Sequence, residues 1–250
     1  MIKLYNADCL EAMKTFDNEK CLVVSDPPFN IGYHYTGYND NLPDDEYYDL
    51  LKSVFDNYRH VIIHYPEEIY KHAFNIGHFP DKVISWVYNS NTAKQHRDIA
   101  FFGIKPDMRK GKQEYKNPKD KRIMKRIAEG KSARLYDWWE INQVKNVSKD
   151  KTDHPCQMPL QVMNNIIQIL PEEYIIIDPF MGSGTTGIAC VKNNRHFIGI
   201  EKEKKYYDIA VKRIQDAGGN VIHSDYNAIK TVYNRERCTT FSIERSRHGK

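Results

Sequence analysis

The segment SDPPFNIGY, which begins at Ser25, combines groups that could activate an aromatic amine. The lone pair of such an amine is delocalised into its ring, so the nitrogen attacks well only when acceptors draw on its N–H groups. The Asp26 carboxylate and the Pro27 carbonyl could be these acceptors, since prolines restrain the backbone and add no competing donor. Phe29 is expected to be exposed and to stack on the ring. The candidate catalytic residues are therefore Asp26, Pro27, Pro28 and Phe29.

A second apolar run ends in a similar way, in DPFMGSGTTG. The loop 182–187 satisfies the pattern G-x-G-x-x-G and opens a helical pattern, which is typical of a nucleotide cofactor site. Glu201, 19 residues after Gly182, ends the next apolar run and is placed to bind a ribose diol. Asp178 would repel a pyrophosphate but would suit the ammonium group of S-adenosylmethionine. The loop therefore favours a sulfonium methyl donor over NAD.

Short apolar runs alternate with helical patterns, which predicts βαβ units on a mostly parallel sheet. Ligands of such sheets bind at the carboxyl ends of the strands, so the two acid-proline segments should face one cleft. The predicted strands are 2–5, 22–24, 61–64, 83–88, 174–177, 197–200 and 221–223, and the predicted helices are 9–15, 44–58, 160–170, 186–193 and 203–217. The alternation fails between about 91 and 155, which predicts an insertion there.

The order of the motifs resembles the permuted, or β, group of S-adenosylmethionine-dependent DNA amino-methyltransferases. The matching segments are NADCLEAM, SDPPFNIGY, HPCQMPLQVMNNII and IIIDPFMGSGTTGIACVKNNRHFIGIE, in that order, and 96–106 loosely matches the last sheet segment. The resemblance implies an α/β Rossmann-like domain with a seven-stranded, mostly parallel sheet and helices on both faces. It implies a catalytic half at 1–104, a basic recognition lobe inserted at 105–152, and a cofactor-binding half at 153–250.

The resemblance also assigns roles to residues. It implies that the DPPF residues hold the target amine and a base flipped out of the helix, and that Asp8 lies near the adenine amine of the cofactor. Asp225, in NVIHSDYNAIK, competes with Asp8 for that place. The expected cofactor-binding residues are Asp8, Cys9, His154, Gln157, Asp178, Pro179, Phe180, Gly182, Ser183, Gly184, Thr185, Thr186 and Glu201.

The segment HPCQMP departs from the usual family pattern, HPTQKP. Met158 replaces the usual Lys, so no role is assigned to it, and Cys156 replaces Thr. Pro155-Cys156-Gln157 also spells the nucleophile motif of cytosine-C5 methyltransferases. That chemistry needs a thiolate and a Glu-Asn-Val partner, which the chain lacks, so Cys156 is interpreted as a small packing residue.

The segment 105–151 is strongly basic. It holds fifteen Lys and Arg against seven Asp and Glu, a net +8 in a chain of net charge +4. Such a block suggests a polyanionic partner, and its cations would bind phosphates whatever the base sequence. The expected DNA-binding residues are Lys110, Lys112, Lys121, Arg122, Lys125 and Arg126. Trp138 and Trp139 are expected either to contact nucleic acid or to anchor the lobe.

Composition limits the alternatives. Five cysteines without a CxxC pair argue for reduced thiols and against a zinc ribbon, and we expect no metal site, no membrane segment and a cytoplasmic location. The expected function is methylation of adenine N6 in double-stranded DNA, by a monomer or homodimer, with a restriction endonuclease as a candidate partner. Cytosine N4, an RNA or protein amine, an idle nucleic-acid-binding module and an NAD enzyme remain as alternatives.

Overall fold

Thirteen strands and seven helices are described in the computed structural model, which covers residues 1–35, 38–145 and 151–223. The strands are β1 (Ile2–Asn6), β2 (Cys21–Ser25), β3 (His34–Tyr35), β4 (Tyr38–Asn39), β5 (Arg59–His64), β6 (Lys82–Val87), β7 (His96–Phe102), β8 (Lys112–Gln113), β9 (Ala133–Arg134), β10 (Trp138–Glu140), β11 (Ile175–Asp178), β12 (Phe197–Glu201) and β13 (Val221–His223). The helices are α1 (Cys9–Met13), α2 (Asp44–Phe55), α3 (Pro66–Ile76), α4 (Lys121–Ala128), α5 (Leu160–Ile169), α6 (Thr185–Lys192) and α7 (Lys204–Asp216).

The main sheet has nine strands in the described part of the chain, in the order β10-β6-β7-β5-β2-β11-β12-β1-β13. The predicted count of seven strands is therefore too low, and short β10 and β13 occupy the two edges. All neighbours pair in parallel except β7, which runs antiparallel to β5 and β6. The predicted α/β class with a mostly parallel sheet is confirmed.

Helices cover both faces of the sheet, so the central strands are buried on both sides. Every residue of β2 is buried. Leu22 and Val24 pack in one core cluster with α5, α6 and α7, whereas Val23 packs in the other with α1, α2 and α3. Strands buried on both faces appear in sequence as continuous apolar runs, which is why they could be predicted.

The antiparallel strand β7 decides where the basic segment lies. The parallel strands all end at one edge of the sheet, here called the carboxyl-end edge, and β7 starts there and finishes at the opposite, amino-end edge. Residues 103–137 leave and re-enter the sheet at the amino-end edge. Asp137 pairs there with Lys82 at the start of β6, at 2.8 Å, and the Asp107 N–H donates to the carbonyl of Ile169, the last residue of α5, at 2.8 Å.

Inside the region expected to be an insertion, β8 pairs with β9 and flanks α4. Asp120 caps α4 by accepting from the Arg122 and Ile123 N–H groups, and Gly130, just after the end of the helix, has the left-handed φ of 70°. Strand β10 rejoins the main sheet against β6. Trp139 is buried in the core, whereas Trp138 is 45% exposed, so only one of the two tryptophans anchors the segment.

Each predicted strand and helix is present, with ends displaced by at most three residues. The loosely matched segment 96–106 contains β7, as the resemblance implied. Helix α3 was missed, although Pro66 at its first position and Gly77 after its last turn, with φ 71°, mark its ends. In the described residues, no helix has the length and apolar character of a membrane span.

Candidate active site

A cavity of about 420 Å³ lies at the carboxyl-end edge. It is bounded by the residues that follow β1, β2 and β11, by the end of β12 and by the start of β7. Asp26 and Gly182, from the two acid-proline segments, line it together. Of the residues predicted from sequence, its wall contains Asp8, Cys9, Asp26, Pro27, Pro28, Phe29, His154, Pro179, Phe180, Gly182 and Glu201.

Six of the expected cofactor-binding residues lie behind this wall and do not line the cavity. They are Gln157, Asp178, Ser183, Gly184, Thr185 and Thr186. Ser183 accepts from Arg213 of α7, at 2.9 Å between Oγ and Nη1, and Gln157 accepts from the Thr152 N–H and hydroxyl, each at 2.9 Å. Their contacts support the loop and the 151–157 segment from behind.

Asp178 joins the two acid-proline segments. Its carboxylate accepts from the Ser25 and Thr186 hydroxyls, both at 2.6 Å, and from the Phe180 N–H at 3.2 Å. Burial raises the pKa of Asp178 to about 6, and the Ser25 and Thr186 hydrogen bonds act against that rise. The sequence suggested that Asp178 contacts the ammonium group of the cofactor. In the structure, Asp178 is instead a buried residue that links β2 to the glycine loop.

The glycine loop is shaped by two left-handed residues. Gly182 has φ 52°, and a Cβ there would lie 2.7 Å from His154 Nε2. Gly184 has φ 80°, and its Cβ would lie 2.9 Å from the Cβ of Ala210 in α7. A side chain at either position would meet both backbone strain and a packed neighbour. Glycine at 182 therefore lets the His154 ring, which also lines the cavity, pack directly on the loop.

Glu201 and Asp8 place two carboxylates in the cavity wall. Glu201 accepts from the Gly182 N–H at 2.9 Å and the Glu203 N–H at 2.8 Å, and burial raises its pKa. Asp8 caps α1 through the Leu10 N–H and pairs with Lys202 at 3.1 Å. Each carboxylate has further lone pairs for a ligand. The competing Asp225 lies outside the described residues.

Cys9 and His154 also line the cavity, and both are neutral near pH 7. Burial raises the pKa of Cys9 to about 12, so its thiol stays protonated. Burial lowers the pKa of His154 to about 4, and its ring packs edge-on against Tyr206 at 4.6 Å between centroids. Neither residue therefore supplies a thiolate nucleophile or a charge to the cavity.

Asp26 is the most perturbed carboxylate in the wall. Its side chain is 14% exposed, and its charged neighbour is Arg97, with Nη1 3.6 Å from Oδ1. Burial raises the pKa of Asp26 to about 7, the Arg97 charge acts against the rise, and Asp178 adds to it. Within the described residues, Oδ1 makes no hydrogen bond. An acceptor atom is thus held in the cavity without a donor.

Arg97 is a site residue that sequence reasoning missed. It is the second residue of β7, and its side chain is 13% exposed. Its guanidinium carbon lies 4.4 Å from the Phe29 ring centroid and 5.4 Å from that of Trp86. Its Nη1 also lies 3.8 Å from the Met158 sulfur. Thus Met158, where the resembled family usually has Lys, contacts a cation supplied by another strand. The position of Arg97 in the cavity wall follows from the direction of β7, which the sequence did not reveal.

Phe29 is not the exposed aromatic that was expected. It is 9% exposed, its ring stacks on His64 at 4.2 Å with 21° between planes, and Tyr65 packs edge-on at 5.1 Å. The expectation failed because β5 ends beside β2 and brings His64 against the ring. Phe29 still forms part of the cavity wall.

The DPPF backbone is held by two buried side chains. The Tyr47 hydroxyl donates to the Pro28 carbonyl at 2.6 Å and lies 2.8 Å from His64 Nε2. His64 Nδ1 accepts from the Tyr65 N–H at 2.8 Å, so the proton of this neutral ring is on Nε2 and points to Tyr47. Burial lowers the pKa of His64 to about 3, which keeps this chain of hydrogen bonds uncharged.

The rim beside Phe29 is organised by Asp40, which is 2% exposed. Its carboxylate accepts from the Asn30 and Tyr33 N–H groups at 2.9 Å and from the Ile31 N–H at 3.3 Å. Asn30 has the left-handed φ of 55°. These bonds fix the turn that carries Ile31 and Tyr33 along the cavity wall.

The expected DNA-binding cations lie elsewhere. Lys110 pairs with Glu172 at 3.0 Å, at the amino-end edge, and Lys112 lines a cleft beside the same Glu172. Helix α4, which carries the other four, buries no residue. None of the six lines the cavity: they are Lys110, Lys112, Lys121, Arg122, Lys125 and Arg126.

Residues 21–212 match the family described as DNA methylase, of the N6/N4 type. The chain is 26% identical over 264 residues to the Type II methyltransferase M.HpaI of Haemophilus parainfluenzae, covering 94% of this chain and 79% of that protein. It is 28% identical over 245 residues to M.BglII of Bacillus subtilis, covering 83% and 67%. A crystal structure of an M1.HpyAVI–SAM complex is 28% identical, with a TM-score of 0.55 over 85% of this chain and all of that one.

Proposed function

Because this chain belongs to the N6/N4 DNA methylase family, matched over residues 21–212, we propose that it methylates the N6 amine of adenine in double-stranded DNA, with S-adenosylmethionine as the donor. The observation that carries the proposal is the single cavity lined by Asp26 and Gly182. When the acceptors for the amine, at Asp26, and the glycine loop for the cofactor, at Gly182, line one cavity, they can bring a methyl donor and a nucleobase together.

The wall residues on the β11–β12 side fit the donor. Gly182 lets the His154 ring pack directly on the loop, where a Cβ would clash with it, and Glu201 and Asp8 offer carboxylate acceptors for ribose hydroxyls and an adenine amine. When bound, S-adenosylmethionine supplies an electrophilic methyl carbon on its sulfonium. We assign Glu201 to the ribose, Asp8 to the adenine amine, and Pro179, Phe180, Gly182 and His154 to the remaining wall.

The β2 side fits the acceptor. The Asp26 carboxylate and the Pro27 carbonyl accept the two N–H groups of the amine, which frees the nitrogen lone pair. Arg97 favours the ionised form of Asp26, and Tyr47 holds the following carbonyl at Pro28. With a pKa of about 7, Asp26 can also take the proton that the nitrogen loses when the N–C bond forms and the S–C bond breaks. Positioning by these residues supplies the rest of the rate enhancement.

Adenine rather than cytosine is supported by the DPPF sequence, because in the resembled family this pattern goes mostly with adenine. Phe29 contacts the flipped base as part of the cavity wall, where His64 packs against its other side, and not as an exposed ring. Flipping costs a few kcal/mol, and a braced ring contributes contact without having to be ordered first.

The six cations of 105–152 bind DNA phosphates in this proposal and contribute affinity without sequence preference. The curated relatives are Type II methyltransferases, so we also propose a companion endonuclease with the same recognition site. These parts do not affect the chemistry in the cavity.

Tritium transfer from labelled S-adenosylmethionine into duplex DNA, structured RNA and protein tests the function. We expect incorporation into DNA, with N6-methyladenine as the labelled nucleoside after digestion. Label in N4-methylcytosine would overturn the choice of base, and label in RNA or protein alone would overturn the substrate. A melt with S-adenosylmethionine or NAD checks the cofactor, since only the true ligand should raise the melting temperature.

A further inference from the structure

A second cleft lies at the carboxyl-end edge, beside the cavity. It has a volume of about 520 Å³ and is formed by the loop after β6 and the segment after β10. Its lining residues are Asn89, Ser90, Asn91, Gln143, Val144 and Lys145. Tyr88, which directly precedes Asn89, lies against Arg97 of the cavity wall, 5.9 Å from the guanidinium carbon to the ring centroid. Tyr88 therefore connects the cleft to the cavity wall.

The loop between β6 and β7 is held by one amide. Gln95 Nε2 donates to the Ser90 carbonyl at 2.7 Å and also bonds the Thr92 carbonyl, while its Oε1 accepts from the Ser90 N–H at 3.1 Å. The Tyr88 N–H donates to the Gln95 carbonyl at 3.0 Å. The loop is thus pre-ordered on a rigid hairpin, which is the arrangement a recognition surface needs.

Three other amides in this cleft are unengaged. Asn89 and Asn91 are exposed and Gln143 is half-buried, and none of the three side chains bonds another residue in the described ranges 1–35, 38–145 and 151–223. In contrast to Gln95, these amides do nothing for the loop. Two chain segments that are distant in sequence bring them to one cleft.

We propose that this cleft reads base-pair edges of the DNA duplex beside the flipped base; the proposal rests on the proposed function. Asn and Gln amides carry a donor and an acceptor side by side, and they pair in two-point fashion with the N6 and N7 edge of adenine. Lys145 at the rim suits a phosphate. The cleft's amides carry no charge, so they contribute discrimination between sequences rather than general affinity.

The spacing suits this role. Asn91 is the third residue after Tyr88, so at no more than about 3.3 Å per residue it lies within roughly 10 Å of Tyr88, the height of about three base pairs at about 3.4 Å each. The amides would thus contact bases within the few pairs next to the target. The basic helix α4, on a segment that meets the sheet at the amino-end edge, has no such proximity.

The test begins with the wild-type protein expressed in cells without other DNA methylation, where single-molecule sequencing gives the recognition site. Asn89→Ala, Asn91→Ala and Gln143→Ala are then assayed on a duplex with that site and on duplexes substituted at each position. We expect each variant to lose about 10- to 100-fold in kcat/KM on the cognate duplex and to relax the preference at one position. Affinity for S-adenosylmethionine and for a duplex without the site should stay within about twofold.

Asn165→Ala is the matched control, because Asn165 lines a polar cleft with Lys110 and Glu172 at the other edge; it should leave the site preference unchanged. If the triple variant is folded by its melting temperature and methylates the same sites with the same relative rates, the inference is overturned. Should it unfold, the three single variants decide the matter. A wild-type protein that labels no DNA would instead sink the proposed function itself.

Discussion

The two edges of the sheet hold their polar residues in opposite ways. At the carboxyl-end edge, Asp178 is 3% and Asp40 2% exposed, and each accepts several hydrogen bonds. At the amino-end edge, the charged pairs are exposed: Arg122 pairs with Asp120 at 3.5 Å with its side chain 92% exposed. The buried groups fix geometry, whereas exposed pairs contribute little to stability and are screened by salt.

This contrast separates the residues proposed to catalyse the reaction from the residues proposed to attract DNA. Burial raises the pKa of Asp26 to about 7 and that of Asp178 to about 6, and catalytic sites commonly contain carboxylates perturbed in this way. Exposed cations provide a long-range field that is independent of sequence. The exposed Lys and Arg of α4 therefore do not mark the place where the substrate is read, and the four experiments below test that separation in order of expected effect.

The largest effect is expected for Asp26→Ala. Removing the carboxylate that accepts the amine proton should lower the methyl-transfer rate by at least about 100-fold. S-adenosylmethionine affinity, measured by calorimetry, should change little. Transfer at near wild-type rate by a folded Asp26→Ala protein would contradict the mechanism.

Next, Gly182→Ala and Gly130→Ala form a matched pair across the two edges. Both glycines have left-handed φ, 52° and 70°, but only at Gly182 would a Cβ meet a neighbour, His154 Nε2 at 2.7 Å. We expect Gly182→Ala to weaken S-adenosylmethionine binding at least about tenfold, from strain of about 1–2 kcal/mol and the clash. Gly130→Ala should cause similar backbone strain but leave cofactor binding intact. Equal effects of the two substitutions on cofactor binding would contradict a specific role for the loop at Gly182.

The pH dependence gives a third test. Asp26 must be ionised to accept, and its pKa is about 7, so the transfer rate should fall as pH drops through about 7. Arg97→Met removes the cation that opposes the rise, so the midpoint of its profile should move to higher pH, while Arg97→Lys should lie near wild type. A midpoint that is identical in Arg97→Met and wild type would show that Arg97 does not act through Asp26.

The smallest effect is expected at α4. Replacing Lys121, Arg122, Lys125 and Arg126 by Ala should reduce the slope of log affinity against log salt by up to about four. The transfer rate at saturating DNA should be unchanged, because none of the four lines the cavity. Fluorescence anisotropy at several salt concentrations measures the slope. A lower rate at saturating DNA would place α4 in the site after all.

Apolar runs and glycine patterns predicted most of the fold and much of the cavity wall. The strand ends at Asp26 and Glu201 were predictable because parallel strands deliver their carboxyl ends to one edge. The predicted exposure of Phe29 was wrong because the sequence does not show that β5, which ends at His64, pairs with β2. Likewise, Asp178 looked like a ligand, since nothing local shows that Ser25 and Thr186 already occupy it.

The position of the basic segment was the least predictable feature. Its side of the sheet depends on the direction of β7, which pairs antiparallel to both neighbours. Apolar content does not distinguish the two directions of a strand. Charge therefore indicated an interaction with DNA, but not whether that interaction lies near Asp26.

The most direct test of the shared cavity is the affinity of a bisubstrate ligand, in which an adenosine-based donor analogue is joined by a short linker to the N6 atom of adenine. If the cavity holds both halves, calorimetry should show binding at least about 100-fold tighter than either half alone, and both Asp26→Ala and Gly182→Ala should weaken it. A ligand that binds no better than the donor half, with no response to Asp26→Ala, would contradict the account.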